Sequence, residues 1–196
     1  MIHANHDGHY LNALRWNSCI AAARDDTDVF IQVDDVRLRT DFIHQHVKWH
    51  VNSAEYVVTG AKFEGEDETW ELASCRRARL AGPHGAPNRV NYLAAWGASL
   101  SYTYSMVRKV WHAPYDRPFD ERMRGWGFQE VELIYRMEMQ GALVVYDPSA
   151  GVFHRNHLQS RELGRGLDRD ALVSQGYELN ERYFRKKHSL DELPWQ

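Results

Sequence analysis

The sequence predicts an α/β fold, and three observations carry the prediction. Residues 28–33, DVFIQV, form a short apolar run rich in β-branched residues, which reads as a buried strand. Residues 142–147, ALVVYD, repeat that pattern late in the chain. Between them, Val131, Ile134 and Tyr135 fall at i, i+3, i+4 and share one face of a helix over residues 128–140. Strand patterns that alternate with helical ones argue for helices packed on a central sheet.

Composition narrows the class. The chain has 196 residues, enough for one domain with a sizeable core. Its net charge of −3 gives no electrostatic case for nucleic-acid binding. Cys19 and Cys75 are the only cysteines and stand far apart, which fits a reducing compartment and no disulfide framework. No run reaches the apolar length of a membrane span, and MIHANHDGHY lacks the apolar core of a signal peptide. The expected location is cytoplasmic.

The elements follow in order. Residues 10–24 are Ala-rich and helical, with Leu11 and Leu14 on the buried stripe. After the strand at 28–33, Thr40 is placed to cap a second helix beginning at Asp41. Residues 55–63 read as a strand and 64–69 as an acidic turn. Residues 75–91 are basic with Gly and Pro, a mobile loop able to close over a ligand. Residues 95–103 form a strand whose Gly97 marks a close approach, and 105–112 a short helix with Ser105 near its cap. The strand at 142–147 ends at Pro148, and residues 152–154 are a separate extended piece. Residues 159–187 are charged and periodic, a peripheral helical segment. The expected division is a catalytic domain over 1–158 and a helical extension over 159–196.

Chemistry concentrates in two places. The strand at 28–33 runs straight into Asp34 and Asp35. In open α/β sheets ligands bind at the carboxyl ends of strands. Adjacent carboxylates there can hold Mg²⁺ or Mn²⁺, and a solvated loop is the alternative. The second place is Gly125-Trp126-Gly127 with Glu130 at the mouth of the helix behind it. A carboxylate at a helix N-terminus is favoured by the macrodipole and can serve as a general base. It also stabilises a helix with no further role. Glu132 and Arg136 are spaced for a helix ion pair. His46 and His50 share the i, i+4 spacing that can suit zinc, but no third ligand is apparent, so a solvated face is expected.

Four stretches in order, VFIQVDDVRLRTDFI, WGASLSYTYSMVRKV, FDERMRGWGFQEVELIYRMEMQG and VVYDPSAGVFH, resemble the inverting family 2 glycosyltransferases of GT-A fold and their galactosyltransferase-like relatives. The resemblance runs from about Ala13 to His154. It implies a GT-A-like, Rossmann-related, mostly parallel central sheet flanked by helices, with a small antiparallel piece on the acceptor side. It also implies sugar transfer from a nucleotide-diphosphate sugar, most commonly a UDP-sugar, to a glycan or other hydroxyl acceptor with inversion, assisted by Mn²⁺ or Mg²⁺. By position it makes Glu130 the general base and Asp34, Asp35 and His154 the metal or diphosphate contacts. It places Gln32, Trp126 and Gly127 against substrate, with Arg15 in reach of a phosphate.

Departures from the family pattern keep a second reading open. Gln32 stands where the first acid of Asp-x-Asp usually lies, and Gln129 where the first acid of the Glu-Asp pair lies. Trp16 and Cys19 blur an Arg- and Gly-bearing helix. The chain opens near the family's third strand, so the fold is expected to be N-terminally truncated, with an exposed apolar sheet edge that a partner chain or oligomer would cover. A sugar-nucleotide or carbohydrate-binding relic without turnover is the alternative function. A two-carboxylate hydrolase is a third reading that no residue favours over the first.

Overall fold

The computed structural model describes residues 12–23, 28–34, 36–64, 86–111, 117–154 and 169–194. Within them the elements run α1 (Asn12–Ala21), β1 (Val29–Val33), β2 (Arg37–Leu38), α2 (Phe42–His50), β3 (Tyr56–Glu64) and β4 (Asn88–Arg89). A 3-10 turn follows (Tyr92–Ala94), then β5 (Ser99–Thr103), α3 (Tyr104–Val110), α4 (Gln129–Met139), β6 (Leu143–His154) and α5 (Arg169–His188). The sheet order is β1-β5-β3-β6-β2, with β4 also on β6. None of these helices is long and apolar enough to cross a membrane.

The sheet is mixed, not mostly parallel. Only β3 and β6 pair in parallel, whereas β1–β5, β3–β5, β2–β6 and β4–β6 are antiparallel. β1, β3 and β6 do run in one direction, but β5 is inserted between β1 and β3 in the opposite sense. All five residues of β5 are buried, so its pattern reports burial and nothing about direction. The carboxyl ends of β1, β3 and β6 and the entry to β5 therefore gather at one end of the sheet. Among the described residues β1 pairs with β5 alone.

β6 is one strand that carries Pro148 in its middle. Its register against β3 jumps from Gly60↔Asp147 to Lys62↔Val152, so residues 148–151 bulge outward. Proline is tolerated there because the bulge asks for no ladder hydrogen bond from it. The outer edge of β6 takes β4 before the bulge and β2 after it. Gly60 makes the bulge possible, since a Cβ there would collide with the Ala150 carbonyl and Ser99 Oγ. β4 falls in the stretch read from sequence as a loop, whose residues 75–85 lie outside the described ones.

Helix boundaries differ by local chemistry. α2 starts one residue later than expected, with Asp41 at the N-cap. Asp41 accepts bonds from Gln45 and Arg39 instead of capping. Thr103, not Ser105, caps α3 by accepting from the Met106 N–H. On α1 the buried positions are Ala13, Asn17 and Ile20, while Leu14 is exposed.

His46 is inside the protein and His50 is half-buried, contrary to the solvated face expected of them. α2 lies on the sheet and places His46 beside Ser99 and Ser101, with no surface exposed. The proton positions follow by elimination. Ser99 Oγ donates to the Ala150 carbonyl at 2.6 Å, so it must accept from His46 Nε2–H at 3.0 Å. His46 Nδ1 then accepts from the Ser101 hydroxyl at 2.8 Å, and Ser101 accepts from His50 Nε2–H at 2.9 Å. Both rings are neutral in this relay. Burial, followed by the charge His50 would carry, pushes His46 down to about 4. Burial pushes His50 to about 4 as well.

α5 is not peripheral. Its Phe184 is fully buried in the main core and touches the rings of Tyr92, Phe128 and Tyr135.

A pH dependence follows from the histidine relay. Between pH 6.5 and about 4 the unfolded chain protonates these rings and the folded one does not, so stability falls as pH drops through that window. For His46 the loss reaches up to about 3 kcal/mol at the acid end. Urea denaturation of wild type and His46→Gln at pH 7 and pH 4.5 checks it. The wild type should lose more stability than the variant, and equal losses would refute the assignment.

Candidate functional site

The site is built at the sheet end where β1 and β3 finish and β5 begins. Gln32 is the second-last residue of β1 and is almost fully buried. Its Nε2 donates to Glu130 Oε1 at 2.9 Å, across 98 residues of sequence. Glu130 is half-buried in the first turn of α4, where the helix dipole favours a negative group. Gly97, just before β5, lets the two meet. A Cβ there would lie 2.6 Å from Gln32 Nε2 and 2.7 Å from Glu130 Oε1.

The turn ahead of α4 has an unusual backbone. Gly127 and Phe128 have φ of 79° and 66°, two consecutive residues in the left-handed region. For Phe128 this conformation costs energy that its complete burial offsets. A side chain at Gly127 would also strike the Tyr177 ring. The turn is templated by α5. Asn180 accepts from the Gly125 N–H at 3.3 Å and donates to the Gly127 carbonyl at 2.7 Å. Gly125 and Gly176 meet backbone to backbone, with no room for a Cβ on Gly125. Trp126, at the tip, is 41% exposed, with its ring 6.3 Å from that of Tyr177. Gln129 is buried and donates to the carbonyls of Gly125 and Met123, so its work here is structural.

Beneath the turn lies a buried ionic cluster. Glu132 is fully buried and receives Arg136 Nε at 2.9 Å and Nη2 at 2.8 Å, Lys187 Nζ at 2.7 Å and His188 Nε2 at 3.1 Å. Burial resists its ionisation, but the His188 bond and the Arg136 charge prevail and hold it down at about 2. Arg136 also donates to the carbonyls of Val110 and Pro118. Lys187 bridges to Asp120, which Tyr183 and Arg122 also bond. Asp120 is likewise held below the usual carboxylate range: burial opposes ionisation, and the Arg122 and Lys187 bonds outweigh it. The Glu132–Arg136 ion pair expected from spacing is present, and it is the centre of a larger network.

The remaining sequence candidates are placed as follows. Asp34 is exposed immediately after β1. Asp35 lies outside the described residues. His154 is half-buried at the end of β6. Because Arg37 pairs with Phe153, the chain leaving Asp34 runs beside it. Arg15 is half-buried on α1. Among the described residues no group of three or more His, Cys, Asp or Glu side chains could hold a metal ion. The described residues alone therefore do not complete a metal site. Asn180, Tyr177 and Lys187 were missed by sequence reasoning. The spacing of Tyr177, Phe184 and His188 on one helix was the available signal that this segment has an inner face.

No protein-family model matches the chain, and no curated protein matches it by sequence. Its fold is similar to that in the crystal structure of GalNAc-T7 with UDP, GalNAc and Mn²⁺, with a TM-score of 0.56 at 13% identity. The match covers 94% of this chain and 38% of that one, so this chain spans well under half of the neighbour's length. The likeness establishes a fold shared with a glycosyltransferase of GT-A type.

The ionic cluster makes a stability prediction. Glu132→Gln leaves Arg136, Lys187 and His188 without their shared carboxylate and should cost about 3–5 kcal/mol. A urea midpoint within error of wild type would show that the cluster does not hold α5 to the core.

Proposed function

We propose that this chain is a glycosyltransferase that moves a sugar from a nucleotide-diphosphate sugar to an acceptor hydroxyl. The observation that carries it is the meeting of Gln32 and Glu130 at one sheet end, in a fold similar to a glycosyltransferase solved with UDP, GalNAc and Mn²⁺. In this reading Glu130 takes the proton from the acceptor hydroxyl as its oxygen forms a bond to the anomeric carbon. The bond from that carbon to the diphosphate breaks, and the nucleoside diphosphate leaves with the electron pair. Attack from the opposite face inverts the anomeric centre. Trp126 supplies an exposed apolar ring for the acceptor, and Arg15 an interaction for the donor phosphates.

The Mn²⁺ or Mg²⁺ expected from the sequence belongs to the same proposal. Asp34, Asp35 and His154 would hold it, and it would neutralise charge on the leaving diphosphate. A UDP-sugar is the donor we propose, and the cytoplasm the location.

Binding without turnover is the second reading, and Gln129 favours it. The amide is committed to the turn, so one acid of the family pair has become structural.

Calorimetric titration of UDP with and without Mn²⁺, on wild type and Asp34→Ala, tests the donor half. Mn²⁺-dependent binding that the substitution abolishes is expected, whereas binding untouched by it removes Asp34 from the site. Release of UDP from a panel of UDP-sugars tests transfer. Glu130→Gln should lower turnover roughly 10²–10⁴-fold with UDP binding unchanged. The product's anomeric configuration by NMR decides between inversion and retention. Tight UDP binding with no transfer across a broad acceptor panel would favour the second reading.

A further inference from the structure

We infer that Gln32 is a positioning residue for Glu130: its amide holds the carboxylate charged and aimed at the sheet end. The inference rests on the role proposed for Glu130 and deepens it.

The geometry sets the direction of the bond. Glu130 Oε1 lies 2.9 Å from Gln32 Nε2, an amide nitrogen that can only donate. The other end of the amide is fixed independently. Tyr102 Oη lies 3.5 Å from Gln32 Oε1, a long contact in which the phenol is the donor. Tyr102 is essentially buried, and burial, followed by the nearby Glu130 charge, raises its pKa far above its ordinary value, so it keeps its proton. A flipped Gln32 would set its carbonyl against the carboxylate and its NH₂ against a hydroxyl proton. The chain Tyr102 to Gln32 to Glu130 therefore has one sense, running from β5 through β1 to the mouth of α4.

A donor to the charged form favours ionisation, and a bond to a charged acceptor is stronger than a neutral one. An Asp or Glu at position 32 would instead face Glu130 as a like charge, and one of the two would hold a proton. A donor amide at position 32 thus leaves Glu130 free to act as a base. Gly97 shows how tightly the pair is fitted, because a single methyl there would enter both side chains. Tyr102 on β5 faces the same corner, and the Glu130 charge reaches it there.

The test is the titration of Glu130 in the full chain, read by NMR of ¹³C-carboxyl-labelled glutamate with Glu130→Gln used for assignment. Gln32→Met keeps the bulk and removes the donor, and should raise the Glu130 midpoint by about one pH unit. Gln32→Glu keeps the shape and should give two coupled steps, the upper one above the wild-type midpoint. Thermal melts confirm that each variant folds. A Glu130 midpoint unmoved in both variants overturns the inference. The titration needs no turnover, so its outcome is separate from that of the transferase reading. Shifted midpoints in a chain that transfers no sugar leave the positioning role standing and remove the transferase. Transfer with an acid limb unmoved by Gln32→Met does the reverse.

Discussion

A single buried carboxylate ties the C-terminal helix α5 to α4. Glu132 has no contact with water, yet it stays ionised because Arg136, Lys187 and His188 all donate to it. Two of those donors come from α5 and one from its own helix. The arrangement costs desolvation of several charges, and its strength lies in leaving none of them unpaired. It fixes α5 against α4, and through Lys187 it fixes Asp120 and the chain ahead of the glycine turn. The placement of Glu130 depends on that, since Glu130 stands two residues from Glu132 on the same first turn.

The candidate site is thus assembled from four distant segments. β1 brings Gln32, Gly97 ahead of β5 supplies the space, α4 presents Glu130, and α5 shapes the turn. Each has a separate physical reason for its position. The strand end is set by pairing with β5, Gly97 by its missing side chain, and the turn by Asn180 and by two glycines in contact. The Gln32→Met titration and the Glu132→Gln denaturation probe different parts of this assembly, one the fine aim of a carboxylate and the other the frame that holds it.

Much of this was legible in the chain, and what was not has identifiable causes. β1, α4 and the Glu132–Arg136 pair follow from local periodicity, and local periodicity survives in the fold. The resemblance puts Gln32 and Glu130 among the site residues, but nothing local announces that they bond to each other. The direction of β5 was hidden because a strand buried on both faces has no alternation to read. Pro148 reads as a strand end, and only Gly60 on another strand turns it into a bulge. His46 and His50 read as surface residues because their partners, Ser99 and Ser101, lie more than 50 residues away. The inner face of α5 was obscured by its cationic last turn, whose Lys187 and His188 point into the protein.

The contact between Gly125 and Gly176 has a consequence for the order of events during synthesis. A ribosome makes the glycine turn some fifty residues before the helix that shapes it, because the chain emerges N-terminus first. Until that helix is extruded, the nascent polypeptide has the strand end and the acid but no template to hold Gly127 and Phe128 in the left-handed region. Any binding competence that depends on this turn is therefore withheld from the growing chain until α5 has emerged.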